Sequence, residues 1–144
     1  MDWTGKYKVT VLGMKVVSVK DALLYLLSAF FSVLIYQLFD FCFGLMAFVT
    51  TYMFGLKMAK NALVGFLTGQ LIPISFFPEV FQKVFDFLPF SSMIYTPVMV
   101  YLGKYSGKAL AAVLLRQVFW IVLLYVLGTF LWQKITKRLI VLGG

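Results

Sequence analysis

The sequence predicts an all-α, polytopic membrane protein with a proline-broken hairpin before its last span. Of its 144 residues, 62% are hydrophobic and only 12% are charged, against roughly 45–50% and 25% in soluble domains. The 27 aromatic residues (16 Phe, 8 Tyr, 3 Trp) add large apolar surfaces that are stabilised by burial. Uncharged runs at 22–39 and 117–133 approach the roughly 20 residues that cross a hydrocarbon core. The apolar excess is therefore expected to face lipid.

The first 21 residues are too charged to insert, so residues 1–21 are predicted as an extramembrane segment. Residues 22–56 form the first apolar stretch, in which Asp40 is the only acidic residue. This stretch is longer than one upright span needs. It predicts one long transmembrane helix, although a hairpin of two short spans that turns near 37–40 stays open as an alternative.

Residues 57–73 are predicted as the next transmembrane helix. Gly65 and Gly69 are separated by three residues, a spacing that permits close packing against another span of this chain or against a second subunit. Pro73 ends or kinks this helix because it lacks a backbone donor.

Residues 74–103 are predicted as an extracytoplasmic hairpin, re-entrant or interfacial. The chain's four prolines, which no continuous helix would carry, break it. Residues 79–88 alternate apolar and polar side chains at helical spacing, which predicts a short amphipathic helix, either an outer gate or a surface lid. The predicted breaks lie at Pro73, Pro78, Pro89 and Pro97.

The last span is predicted at 109–133, with residues 134–144 as a basic tail. Lys134, Lys137 and Arg138 in this tail favour a cytoplasmic C-terminus. The chain is therefore expected to be a multi-pass protein of the cell membrane, in contact with the lipid bilayer.

Three polar residues within the apolar runs are candidates for a translocation pathway or an intramembrane contact. Asp40 either lines a pathway or forms an ion pair, or it marks a helix end at the headgroups. Arg116 either lines the pathway or pairs with Asp40, or it extends toward the outer headgroups. Gln117 lies beside it on a neighbouring face.

The composition argues against enzymatic and nucleic-acid functions. The net charge of +8 arises mainly from basic residues between apolar runs, which indicate topology rather than a nucleic-acid surface. With one cysteine and no histidine, the sequence cannot form the common His/Cys metal sites or nucleophile–histidine pairs. It also lacks a phosphate-binding P-loop motif. We expect no enzyme activity and no cofactor.

An ordered set of prolines, glycines and aromatics resembles the C-terminal half of ABC-2 type transporter permeases of the six-span family. The resemblance covers roughly residues 22–144 and includes a terminal Gly-Gly. Its motifs are Gly69, Leu71-Ile72-Pro73, Phe76-Phe77-Pro78, Leu88-Pro89-Phe90, Tyr95-Thr96-Pro97, Tyr101-Leu102-Gly103-Lys104 and Gly143-Gly144.

This resemblance implies the permease subunit of an ATP-driven exporter. Such a subunit pairs with a second permease, in a homodimer or a heterodimer, and with a separate ABC ATP-binding subunit. Family members have about twice this length, so the chain looks like a second half that lacks the first spans. The alternative is a small accessory or assembly membrane protein without transport activity of its own.

Overall fold

The fold of the chain is all-α, as predicted. The computed structural model describes residues 19–50, 52–72 and 76–143, and these form six helices and no strand. Most of the predicted N-terminal segment, together with Pro73, lies outside the described residues. The helices are α1 (Val19–Ala47), α2 (Met53–Leu67), α3 (Glu79–Phe87), α4 (Pro89–Met93), α5 (Tyr95–Tyr101) and α6 (Lys108–Gly143).

Two of these helices, α1 and α6, are long and apolar enough to cross a membrane. Helix α1 has 29 residues and continues through residues 37–40 without a turn. It ends at Ala47, nine residues before the predicted boundary. No glycine or proline stops it there; the Thr50 hydroxyl donates to the Met46 carbonyl (3.1 Å) after the last turn. Helix α6 has 36 residues and includes most of the predicted basic tail.

Helices α1 and α6 pack side by side and run in the same direction. Ser28 contacts Gln117 (3.1 Å) near one end, and further along the Cys42 thiol lies 3.8 Å from the Leu124 carbonyl. A Cβ atom added at Gly128 would lie 3.2 Å from Phe41 Cδ1. The missing side chain of Gly128 thus permits the close approach of these helices.

Helix α2 has 15 residues, fewer than the roughly 20 needed to cross a hydrocarbon core. It begins at Met53, four residues before the predicted span. After it, Gly69 adopts φ 81°, a left-handed conformation that favours glycine, and the Leu71 amide donates to the Gly65 carbonyl (3.1 Å). Gly69 therefore lies in the turn that ends α2.

The proline-broken segment comprises the exposed amphipathic helix α3 and the buried pair α4–α5. Leu88 separates α3 from α4 in an extended conformation, as expected of a residue that precedes a proline. Phe90 packs edge-on against Phe39 of α1, and Tyr101 at the end of α5 packs against Tyr25. The pair thus runs along α1 toward its N-terminal end, where α6 begins.

Candidate functional site: a buried polar centre

Two serines place hydroxyl groups on the face of α1 that meets α6. Ser28 and Ser32 are one helical turn apart, so their side chains share a face, and they are 0% and 5% exposed. The Ser32 hydroxyl lies 2.9 Å from the Ser28 carbonyl and 2.8 Å from the Ser92 carbonyl of α4. Ser32 therefore connects α1 with the broken segment.

Gln117 of α6 completes this group and is fully buried. Its Oε1 accepts from the Ser28 hydroxyl (3.1 Å). Its Nε2 lies 3.2 Å from the Ser28 carbonyl, 3.1 Å from Ser32 Oγ and 3.1 Å from the Ser92 carbonyl. We call Ser28, Ser32, Ser92 and Gln117 the polar centre.

The polar centre supplies hydrogen-bond donors to the backbone where the helix is interrupted between α4 and α5. The last carbonyls of a helix have no donor within it, and the hydrocarbon core supplies no water to replace one. The Ser92 carbonyl, one residue before the end of α4, instead accepts from Ser32 and Gln117. Within the described part of the chain, the buried Ser92 hydroxyl has no partner.

Arg116 lies beside the polar centre and does not pair with Asp40, contrary to one predicted alternative. Its Nη2 donates to the hydroxyl of the fully buried Thr96 on α5 (3.3 Å). Its Nε is also buried and has no partner among the described residues. The contact with Asp40 fails because Asp40 lies twelve residues beyond Ser28, about 18 Å further along α1.

Asp40 instead forms an ion pair with Lys60, which joins α1 to α2. The Lys60 side chain is only 13% exposed, and its ammonium lies 5.9 Å from the centre of the Tyr36 ring. The pair borders a cleft of about 280 Å³ between the two helices, to which Gly44, Leu56 and Lys57 also contribute. Asp40 is thus an ion-paired residue inside α1 and does not mark a helix end.

A second polar group lies where α5 leads into α6. Burial raises the pKa of Tyr105, the nearby Tyr95 and Asp86 raise it further, and Arg116 lowers it. The Tyr105 phenol is therefore harder to ionise than a free tyrosine. The Ser91 hydroxyl donates to the Asp86 carbonyl (2.8 Å) at the end of α3, which fixes α3 against α4.

The remaining predicted residues have local roles. Pro78 precedes α3 and Pro89 opens α4, as predicted. Pro97 is not a break, contrary to the prediction: it is buried within α5, and the junction of α4 with α5 lies at Ile94. The nearest neighbour of a Cβ atom added at Gly65 would be Leu71, at 3.4 Å. Within this chain Gly65 therefore faces its own turn, and packing of the Gly65–Gly69 face against a second subunit stays a prediction.

Sequence reasoning missed the partners of these residues: Ser28, Ser32 and Ser92, and the ion-pair role of Lys60. The spacing of Ser28 and Ser32 by four in an apolar run was the available signal. Among the described residues, no group of three or more His, Cys, Asp or Glu side chains is close enough to hold a metal ion.

The sequence profile of a family described as "ABC-2 family transporter protein" matches residues 5–142, nearly the whole chain. The chain belongs to this ABC-2 transporter family. Comparisons with curated proteins and with solved structures give no significant match. Membership of the ABC-2 transporter family, predicted from the proline and glycine motifs, is confirmed, and the family supports a membrane permease of an ABC-2 type transporter.

Proposed function

We propose that the chain is the C-terminal half of a permease subunit in an ABC-2 type exporter, driven by a separate ATP-binding subunit. The family match over residues 5–142 carries this proposal. The sequence contains no P-loop motif, so the ATP-binding subunit supplies the energy. Two permeases, identical or different, assemble with the ATPases in the cell membrane.

The charge distribution supports an orientation for the chain. Lys134, Lys137 and Arg138 near the end of α6 favour a cytoplasmic location under the positive-inside rule. Because α1 and α6 run in the same direction, both then begin at the outer surface. The Tyr25–Tyr101 contact, at the end of α5, lies on that outer side, and the link between α1 and α2 lies at the cytoplasmic side.

In this orientation, the buried pair α4–α5 closes the outer part of the path. The polar centre holds this pair between α1 and α6, and Arg116 with Thr96 lies next to it. Rocking of the spans on ATP binding would move α1, α4 and α6 together with the polar centre, and Arg116 with α6. We propose that Arg116 and Gln117 border the translocation path on this side, and Asp40 on the cytoplasmic side.

Affinity purification tests the proposal. The chain is tagged at its C-terminus and extracted from its native membrane in mild detergent, and co-purifying proteins are identified by mass spectrometry. We expect an ATP-binding subunit at near-stoichiometric amount. An unrelated multi-pass protein with the same tag is the control. Recovery of the chain alone, or with the same proteins as the control, contradicts the proposal and favours the accessory role.

A further inference from the structure

A basic cleft lies where α1 ends beside α6. Its volume is about 240 Å³, and it is lined by two cations, Lys134 and Arg138, by Thr50, and by apolar side chains of both helices such as Met46 and Ile135. Ile135 is buried, whereas Lys134 and Arg138 are exposed. The cleft therefore combines a charged mouth with an apolar wall.

The two cations suit a single phosphate group. Lys134 and Arg138 are four residues apart, so they share one face of α6 with about 6 Å between them along the axis. Among the described residues, no carboxylate lines the cleft. The ion pair that the described residues form joins Asp40 to Lys60, away from Lys134 and Arg138. The positive charge of the cleft is thus not neutralised by the described part of the chain.

The cleft lies at headgroup depth. The apolar part of α6 begins after Lys108. A span of the hydrocarbon core needs roughly 20 residues, and a modest tilt lengthens it. The membrane-spanning part of α6 therefore ends near Trp132. Lys134 comes about half a turn later and Arg138 about one and a half turns later. Thr50 likewise follows the end of α1 at Ala47. The cations therefore face the phosphates of the lipid leaflet, and the apolar wall faces the start of the acyl chains.

We propose that this cleft binds one anionic phospholipid, with its phosphate between Lys134 and Arg138. The glycerol and the first methylenes contact the apolar wall, which includes Met46 and Ile135. Basic pockets between transmembrane helices are suited to such headgroups because two cations add electrostatic attraction to apolar burial. The site rests on the cleft itself and does not depend on transport activity.

Native mass spectrometry of the full chain tests this site. The chain is reconstituted in nanodiscs with equal parts of phosphatidylcholine and phosphatidylglycerol, and the lipids that it retains on ejection are counted. We expect preferential retention of phosphatidylglycerol. Each single variant, Lys134→Gln or Arg138→Gln, should weaken this retention roughly fivefold, and the double variant roughly 30-fold. Thermal melting of each variant verifies that folding is intact.

Lys137→Gln is the matched control because Lys137 is exposed in the same turn but does not line the cleft. The lipid retention of Lys137→Gln should change by less than about twofold.

Excess glycerol phosphate, which has the phosphate without acyl chains, should not displace the lipid. Displacement would indicate a site for free phosphate and contradict the proposal. Equal losses in Lys137→Gln would show diffuse charge attraction and overturn the site. Unchanged lipid retention in the double variant, with loss of a co-purifying protein, would assign the cleft to a protein partner instead.

Discussion

The two sides of α1 are held in different ways. On the side of α6 and α4, Gln117 and three serines form a buried network of hydrogen bonds that spans three helices. On the side of α2, the ion pair between Asp40 and Lys60 borders an open cleft of about 280 Å³. The comparison indicates a fixed unit of α1, α4, α5 and α6, against which α2 is the more weakly held element.

The largest expected effect is that of Gln117→Leu, which removes the centre of the fixed unit. The variant leaves the buried Ser28 hydroxyl without its acceptor, Gln117 Oε1, in a site that excludes water. It also removes the amide donor that faces Ser32 and the Ser92 carbonyl. Hydrogen bonds within membranes average about 0.6 kcal/mol each, and an unsatisfied buried group adds about 1–3 kcal/mol. We expect a loss of about 3 kcal/mol in the free energy of unfolding, measured by denaturation in mixed micelles.

Gln133→Leu is the control for this substitution because Gln133 is exposed on the same helix. Its free energy of unfolding should change by less than about 0.5 kcal/mol. Equal stabilities of the two variants would show that the polar centre does not hold the fixed unit together.

A smaller effect is expected on the side of α2. Asp40→Asn, Lys60→Gln and the double variant form a double-mutant cycle for the ion pair. Because the Asp40 side chain is 40% exposed, we expect a coupling energy of about 1 kcal/mol. The same denaturation assay measures it. Strictly additive effects would mean that the ion pair does not hold α2 against α1.

The smallest effect concerns the contact of α1 with α6. In Gly128→Ala, the new Cβ would lie 3.2 Å from the Phe41 ring, so the helices or the ring must shift. We expect a loss of about 1 kcal/mol. Gly44→Ala is the matched control because its Cβ would meet no atom within 4 Å, and the gain in helix propensity should make it neutral or stabilising by up to about 1 kcal/mol. Thermal melting in detergent compares the two, and a larger loss at Gly44 would contradict the packing described here.

Much of the fold follows from local sequence. Apolar runs predict the two long helices, and Pro78 and Pro89 predict where α3 and α4 begin, because a proline constrains its own residue and the one before it. Pro97 does not mark such a boundary, since it lies inside α5. The end of α1 at Ala47 was not predictable in this way. After the end of α1, the Thr50 hydroxyl donates a hydrogen bond to the Met46 carbonyl. Serine and threonine make such bonds within continuous helices as well, so the sequence carries no distinctive signal for the helix end.

The candidate site was less predictable than the fold. Gln117 is identifiable as a polar residue in an apolar run, but its partner Ser28 is 89 positions away. Only the packing of α1 against α6 brings the two together. The partner of Asp40 is likewise set by how α2 folds back, which selects Lys60 rather than Arg116. Residue pairs that form through tertiary packing cannot be predicted from the spacing of residues along one helix.

Distances between spin labels test the difference between the two sides of α1 most directly. In a Cys42→Ala background, exposed Val33 of α1 is paired with Val126 of α6 or with Leu63 of α2, each replaced by a labelled cysteine. We expect a narrow distance distribution between α1 and α6 and a broader one between α1 and α2. Lys60→Gln should broaden the second distribution alone. Equally narrow distributions, unchanged by Lys60→Gln, would contradict the account of a fixed unit and a weakly held α2.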